Sequence, residues 1–402
     1  MIHLTLAVWL VFQTGLKSDN CTNPDWGFWG HRKLNKMAVF TLPRDMLPLY
    51  KPSIDYLEEH AVDPDKRRYA TPYEAIRHYI DLDQWGSLPF DSLPREWHKA
   101  LAQYSKWGLL NESGDTTWLD FKKINEDTLL IEPSQSRISI KQYQHIFSRF
   151  VLPQYYNEEW ICPVDTINPI LGIELIGKNY IWKDLFSEHG ILPYYLPIAL
   201  DKLTRAFVEG NKEKILRFSA EIGHYIGDAH VPLHTTKNYN GQLTDQHGIH
   251  AFWESRLPEL FADAEYDFFA GKAEYIKDPI PYFWDIIFES HRLLPEVLIG
   301  EKTLSQTFPK DNQFCYDERL GQTVRIQCRE YARAYHDSMK GMVEQRMRDA
   351  IKSIGSVWYT AWVNAGQPDL NSLLEPSPTN AAIVEEPAQA KPLKNKIRDH
   401  EN

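Results

Sequence analysis

The stretch from His224 to Glu254 constrains this chain more than any other. It reads GHYIGDAHVPLH, then a Gly/Asn-containing loop, then HGIHAFWE. His224 and Asp228 are four residues apart, as are His250 and Glu254, and His234 follows just after Pro232. Residues four apart share a helix face, so each pair can aim an imidazole and a carboxylate at one point. Those are the donors that zinc accepts in hydrolytic sites. With 15 His and 55 acidic residues in 402, chance gives roughly two such spacings. The weight therefore lies in their clustering, with His234 between them and helical patterns around both. Donors clustered in this way could converge at one place, and their number suggests more than one metal ion. That in turn points to a phosphate-ester substrate.

Composition narrows the class. The chain is 43% hydrophobic and rich in aromatics, with 13 Trp and 21 Tyr, enough to bury a substantial core. Its net charge of −11 argues against a protein that coats duplex nucleic acid. The apolar run Leu4 to Phe12 (LTLAVWLVF) is too short to span a bilayer, and no integral membrane span is expected. It suits the apolar part of a secretory signal over residues 1–20, which predicts a periplasmic or secreted protein. Four cysteines fit export: Cys315 and Cys328 are the expected bridge, and Cys21 is a partner for Cys162 or a lipidation site.

Helical periodicity dominates residues 26–367, which read as one domain without linker or repeat. Helices are expected over His31–Phe40, Met46–Glu59, Tyr73–Tyr79, Leu192–Glu209, Lys212–Ala229 and Ile249–Phe261. Two more are expected within Leu320–Trp362, separated near Gly355. Residues Leu109 to Ile140 read as loops with a small hairpin. The expected fold is therefore all-α, a single helical domain with a loop-rich insertion. Residues 368–402, rich in Pro, Ala and charge, read as a disordered tail.

Further candidate donors lie upstream: WGFWGH (Trp26 to His31), DPDKRR (Asp63 to Arg68) and RHYIDLD (Arg77 to Asp83). Taken singly, Asp63 and Asp65 read as turn or cap carboxylates and His78 as a hydrogen-bonded histidine. In order, however, W-G-x-x-G-H, a Pro-Asp loop, H-Y-I-D, G-H-Y-I-G-D…P-L-H and H-x-x-x-E resemble the zinc-dependent phospholipase C and single-strand nuclease superfamily (nucleases P-one and S-one). The five motifs span about half the chain, Trp26 to Glu254.

The resemblance implies an all-α fold with three zinc ions at the bottom of a cleft. His78, His224 and Asp228 would hold one, with Asp65 beside it as ligand or as base on the attacking water. His234, His250 and Glu254 would hold a second. His31 and the other oxygen of Asp228 would hold a third, with the backbone amine and carbonyl of Trp26. That role requires Trp26 to begin the mature chain. Asp63 is the alternative to Asp65 in the Pro-Asp loop. Tyr79 and Asp81 would stack on and accept from a base. His230 and His247 are extra histidines, the first read as a hydrogen-bonding residue and the second as a weaker alternative to His250 as ligand. The implied activity is a single-strand nuclease or 3′-nucleotidase-like phosphodiesterase. The alternatives are a phospholipase C acting on phospholipid headgroups and a non-catalytic exported zinc-binding protein.

Overall fold

The computed structural model describes residues 28–68, 71–125, 127–132, 134–151, 159–319 and 322–374. The expected signal segment, Trp26, Cys21 and the C-terminal stretch beyond 374 lie outside them. Five long helices build the main body: α1 (Phe28–Ala38), α2 (Leu192–Val208), α3 (Lys212–Ala229), α4 (Pro279–Thr307) and α5 (Met342–Asn364). Helix α3 lies at the centre, against α1, α2, α4 and α5. Asn211 starts it by accepting the Lys214 backbone N–H at 3.0 Å. Its last two turns are buried throughout, from Ile222 to Ala229. Pro232 ends it, because the residue before a proline is pushed to extended backbone, and Val231 has φ −89° and ψ 117°.

Two glycines let α1 lie close against α3. A Cβ at Gly223 would sit 1.9 Å from Asn35 Oδ1, and one at Gly227 would sit 2.8 Å from His31 Nδ1. Asn35 uses the close approach to donate to the Ala220 carbonyl at 3.0 Å and the Leu57 carbonyl at 3.2 Å. On the other side of the α1 segment, a Cβ at Gly355 of α5 would meet Thr41 Oγ1 at 1.8 Å. Gly355 is thus a contact point inside a continuous helix. The break expected there lies instead at Lys340 and Gly341, both at positive φ (51° and 84°), between the helix Arg329–Ser338 and α5.

The all-α expectation is corrected by two sheets. Strands β1 (Ser105–Leu110), β2 (Thr116–Lys123), β3 (Thr128–Glu132), β4 (Ser136–Ser139), β5 (Glu159–Pro163) and β6 (Asn179–Asp184) form an antiparallel sheet of order β4-β3-β2-β1-β6-β5. Strands β7 (Phe314–Arg319) and β8 (Gln322–Gln327) pair antiparallel as a second, two-stranded sheet, and a disulfide joins Cys315 on β7 to Cys328 just after β8. The molecule is therefore mixed α/β, mostly helical. The region read as loops with one small hairpin holds most of the larger sheet. Its alternation is real but short in each strand: Trp107 and Leu109 face inward on β1, Leu119 on β2 and Ile131 on β3. Trp107 is the centre of that inner face, with ring centroids 4.8 Å from Tyr143, 4.8 Å from Phe121 and 4.7 Å from Trp182. Tyr143 comes from the helix Ile140–Ile146, which packs on this face. The sheet grows from the helical body at one place, where Ser105 and Asp184 pair in register. At the C-terminal end of the described chain, residues 368–374 fold back, with Leu370 buried and the Pro368 carbonyl accepting from Trp362 Nε1 at 2.9 Å. Among the described residues no helix is long and apolar enough to cross a membrane.

Candidate metal centre

The donor side chains arrive from separate segments around the end of α3. Helix α1 supplies His31, and the helix Asp63–Arg68 supplies Asp65. His78 lies in the turn after the helix Pro72–Ala75, and α3 supplies His224 and Asp228. His234 lies on the 3-10 turn Pro232–Thr235. His250 and Glu254 lie where the turn Ile249–Ala251 runs into the π-helix Phe252–Arg256, a helix type concentrated at functional sites.

Backbone bonds lock two of these segments together. The Ile80 N–H donates to the His234 carbonyl at 2.9 Å, and His234 Nδ1 bonds the His78 carbonyl. A carbonyl only accepts, so His234 Nδ1 carries a proton, and a metal held by this ring would take Nε2. That Nε2 is 3.3 Å from Glu254 Oε2, which is 2.6 Å from His250 Nε2.

Asp228 divides its two oxygens. Oδ2 is 2.9 Å from His78 Nδ1 and 3.3 Å from His224 Nε2. Oδ1 is 3.4 Å from His31 Nε2 and 3.9 Å from His234 Nδ1. Asp65 Oδ1 stands 3.7 Å from both His78 Nδ1 and His224 Nε2. Glu254 also divides, with Oε1 3.4 Å from His31 Nε2 and Oε2 toward His234 and His250. Three sets of donor atoms therefore lie within 4.8 Å of one another: His31, His224 and Asp228; Asp65, His78 and His224; and His234, His250 and Glu254. The first two share His224, and a ring nitrogen serves one ion at a time, so Asp228, whose two oxygens diverge, is the group able to span both.

Everything here is withdrawn from water. His78 and His224 are fully buried, and Asp65 and Glu254 keep the most exposure, 12% and 13% of their side chains. Burial alone would raise the Asp228 carboxyl, yet the His224 and His234 rings hold it well below the usual carboxylate range. Burial is likewise outweighed at Glu254 by hydrogen bonds from His234, His250 and His31. At Asp65 it is outweighed by His224, Arg68 and His78. Among the described residues, the arginine paired with these three buried carboxylates is Arg68, whose Nη1 is 3.3 Å from Asp65 Oδ1. Burial would lower His31, but bonds to Asp228 and Glu254 raise it well above 6.5. Burial also lowers His78 and His250. His224 Nε2 and His78 Nδ1 stand 3.0 Å apart beside the ionised carboxylates. Buried anions and convergent lone pairs are what a divalent cation satisfies, so these residues fit a metal ion.

Other candidates lie elsewhere. Asp63 faces away, bonded to His60 Nδ1 at 2.5 Å and Lys66 Nζ at 3.0 Å. Tyr79 is only 5% exposed and its hydroxyl donates to the Glu188 carbonyl at 3.0 Å. A base stacking on it needs an open ring face, which that burial denies. Asp81 is buried as well, with Oδ2 3.8 Å from His189 Nδ1. His230 donates from Nδ1 to the Ile226 carbonyl at 2.7 Å, and His247 is exposed. Arg68 was not singled out by sequence, although its place three residues after Asp65 on one helix was a usable signal. No protein-family model matches this chain, and no curated protein matches it.

Proposed function

We propose that the chain is a zinc-dependent hydrolase of phosphate esters, with three ions at full loading. Its first expected substrates are single-stranded nucleic acid and 3′-nucleotides, followed by phospholipids. One observation carries the reading: His31, His78, His224, His234 and His250 converge with Asp65, Asp228 and Glu254 in one buried cluster, and Asp228 divides its oxygens between two donor sets. When bound, the ions would supply Lewis acidity toward a phosphoryl oxygen and a water made nucleophilic at neutral pH.

The remaining work falls to the chain's own residues. Asp228 holds two donor sets at a fixed separation. Asp65 is ionised and stands at a partly open end of the cluster, so it can take a proton from an incoming water. Arg68 keeps that carboxylate oriented. The low exposure of the histidines excludes competing water. A closed structural site needs four protein donors per ion. Here the His234 set has three side chains, with Glu254 partly exposed, which supports an open position. The disulfide supports a periplasmic or secreted location.

The test is metal analysis of protein purified without added metal, followed by hydrolysis of single-stranded DNA, 3′-nucleotides and phosphatidylcholine with and without chelator. Bound zinc with chelator-sensitive cleavage of at least one is expected. A protein without metal, or one inert toward all three, would overturn the reading.

A further inference from the structure

Behind His78, on the side away from the cluster, stands a carboxylate that none of the donor sets uses. Glu74 is four residues before His78, and its side chain is 3% exposed. Its Oε2 accepts from Arg77 Nη1 at 2.9 Å and from Arg67 Nε at 3.4 Å. Its Oε1 accepts from the Tyr225 hydroxyl and faces His78 Nε2 at 3.9 Å. That nitrogen is buried and has no hydrogen-bond partner. The other nitrogen of the same ring, Nδ1, points into the cluster, 2.9 Å from Asp228 Oδ2 and 3.0 Å from His224 Nε2.

An imidazole binds a metal through an unprotonated nitrogen, so a neutral ligand ring carries its proton on the other one. For His78 the ligand nitrogen is Nδ1, which leaves the proton on Nε2, facing Glu74. Closing the 3.9 Å gap to hydrogen-bond length takes a movement of about 1 Å. Glu74 is held from three directions, by Arg77, Arg67 and Tyr225. Tyr225 belongs to α3, adjacent to His224, so the same carboxylate touches both the helix that carries two donors and the loop that carries a third. The frame continues outward: Arg67 Nη1 and Arg217 Nε both donate to Glu221 Oε1 at 2.9 Å.

We propose that Glu74 is a positioning residue of the metal centre. It accepts the Nε2 proton of His78, fixes the tautomer that leaves Nδ1 free for the ion, and ties that ring to the Arg67–Arg77–Tyr225 frame. The inference rests on the metal-centre reading above. Removing such a partner typically lowers metal affinity by roughly 10–100-fold.

Two measurements test it. In 15N-histidine-labelled wild-type protein loaded with 113Cd, the cadmium coupling of His78 is expected at Nδ1, with a slowly exchanging proton on Nε2. In competition titrations with a chromophoric chelator, Glu74→Ala is expected to bind cadmium roughly 10–100-fold more weakly. Glu74→Gln, which keeps an acceptor oxygen, should recover part of that loss. Tyr225→Phe, which removes one of the three bonds that hold Glu74 but keeps the carboxylate, should lose less affinity than Glu74→Ala. Cadmium coupling at His78 Nε2 overturns the role of Glu74, and that measurement needs no variant to fold. So does equal affinity in Glu74→Ala and wild type, or equal losses in Glu74→Ala and Tyr225→Phe. A wild-type protein that takes up no cadmium overturns the metal-centre reading itself.

Discussion

Asp228 serves two donor sets because its oxygens diverge, and it can do so only where α3 ends beside α1 and the His78 turn. Asp228→Ala is expected to lose more bound zinc than His250→Ala and to lower kcat by about 10²–10³-fold. Metal analysis and steady-state kinetics check this, and full zinc content in the variant would refute the spanning role. Protons and metal compete for the same atoms. Without metal, the raised His31 contributes stability that is full below its ordinary 6.5 and fades as pH rises through the folded value. The depressed Asp228 and Glu254 contribute stability that is full above the ordinary carboxylate range and fades as pH falls. Chelated protein should therefore lose Tm as pH rises above the histidine range, while metal-loaded protein should not. Parallel Tm–pH curves with and without chelator would contradict this.

At the scale of elements, the end of α3 is held by a buried arginine. Arg346 of α5 donates from Nε to the His230 carbonyl at 3.0 Å and from Nη2 to Ser290 Oγ at 2.7 Å. The Ser290 hydroxyl donates in turn to the Ala229 carbonyl at 2.6 Å. A cation here satisfies carbonyls that a helix C-terminus leaves open. Arg346→Met should cost about 2–3 kcal/mol in urea unfolding and weaken metal binding through the loosened Asp228 turn. A change below about 0.5 kcal/mol, typical of surface positions, would show that the arginine does not hold this end. Helix α3 was legible from sequence because its cap, its periodicity and Pro232 all agree on its limits. Helix α4, 29 residues long, was not anticipated: Pro295 lies inside it and prolines crowd its start, which mask a helical pattern. Gly355 misled for a related reason, since a glycine can mark a break or a close contact and only the neighbouring Thr41 distinguishes them.

On the scale of the molecule, the helical body carries every identified donor, and the six-stranded sheet carries none. Ser105 and Asp184, where the sheet leaves the body, are register partners and lie side by side. Replacing the residues between them by a short Gly/Ser linker should leave metal stoichiometry unchanged, as read by metal analysis of the folded variant. Loss of bound metal would show that the sheet supports the centre directly. Sequence alone determined the donor types, the helices that carry His224 and Asp228, and the bridge between Cys315 and Cys328, because spacing, capping and local closeness act over a few residues. Tertiary structure alone decided that six strands between Ser105 and Asp184 pair into one sheet, that Asp65 rather than Asp63 faces the cluster, and that Tyr79 is buried. Strand pairing, the direction of a side chain off a short helix, and the covering of a ring depend on residues distant in the chain, which no local pattern records.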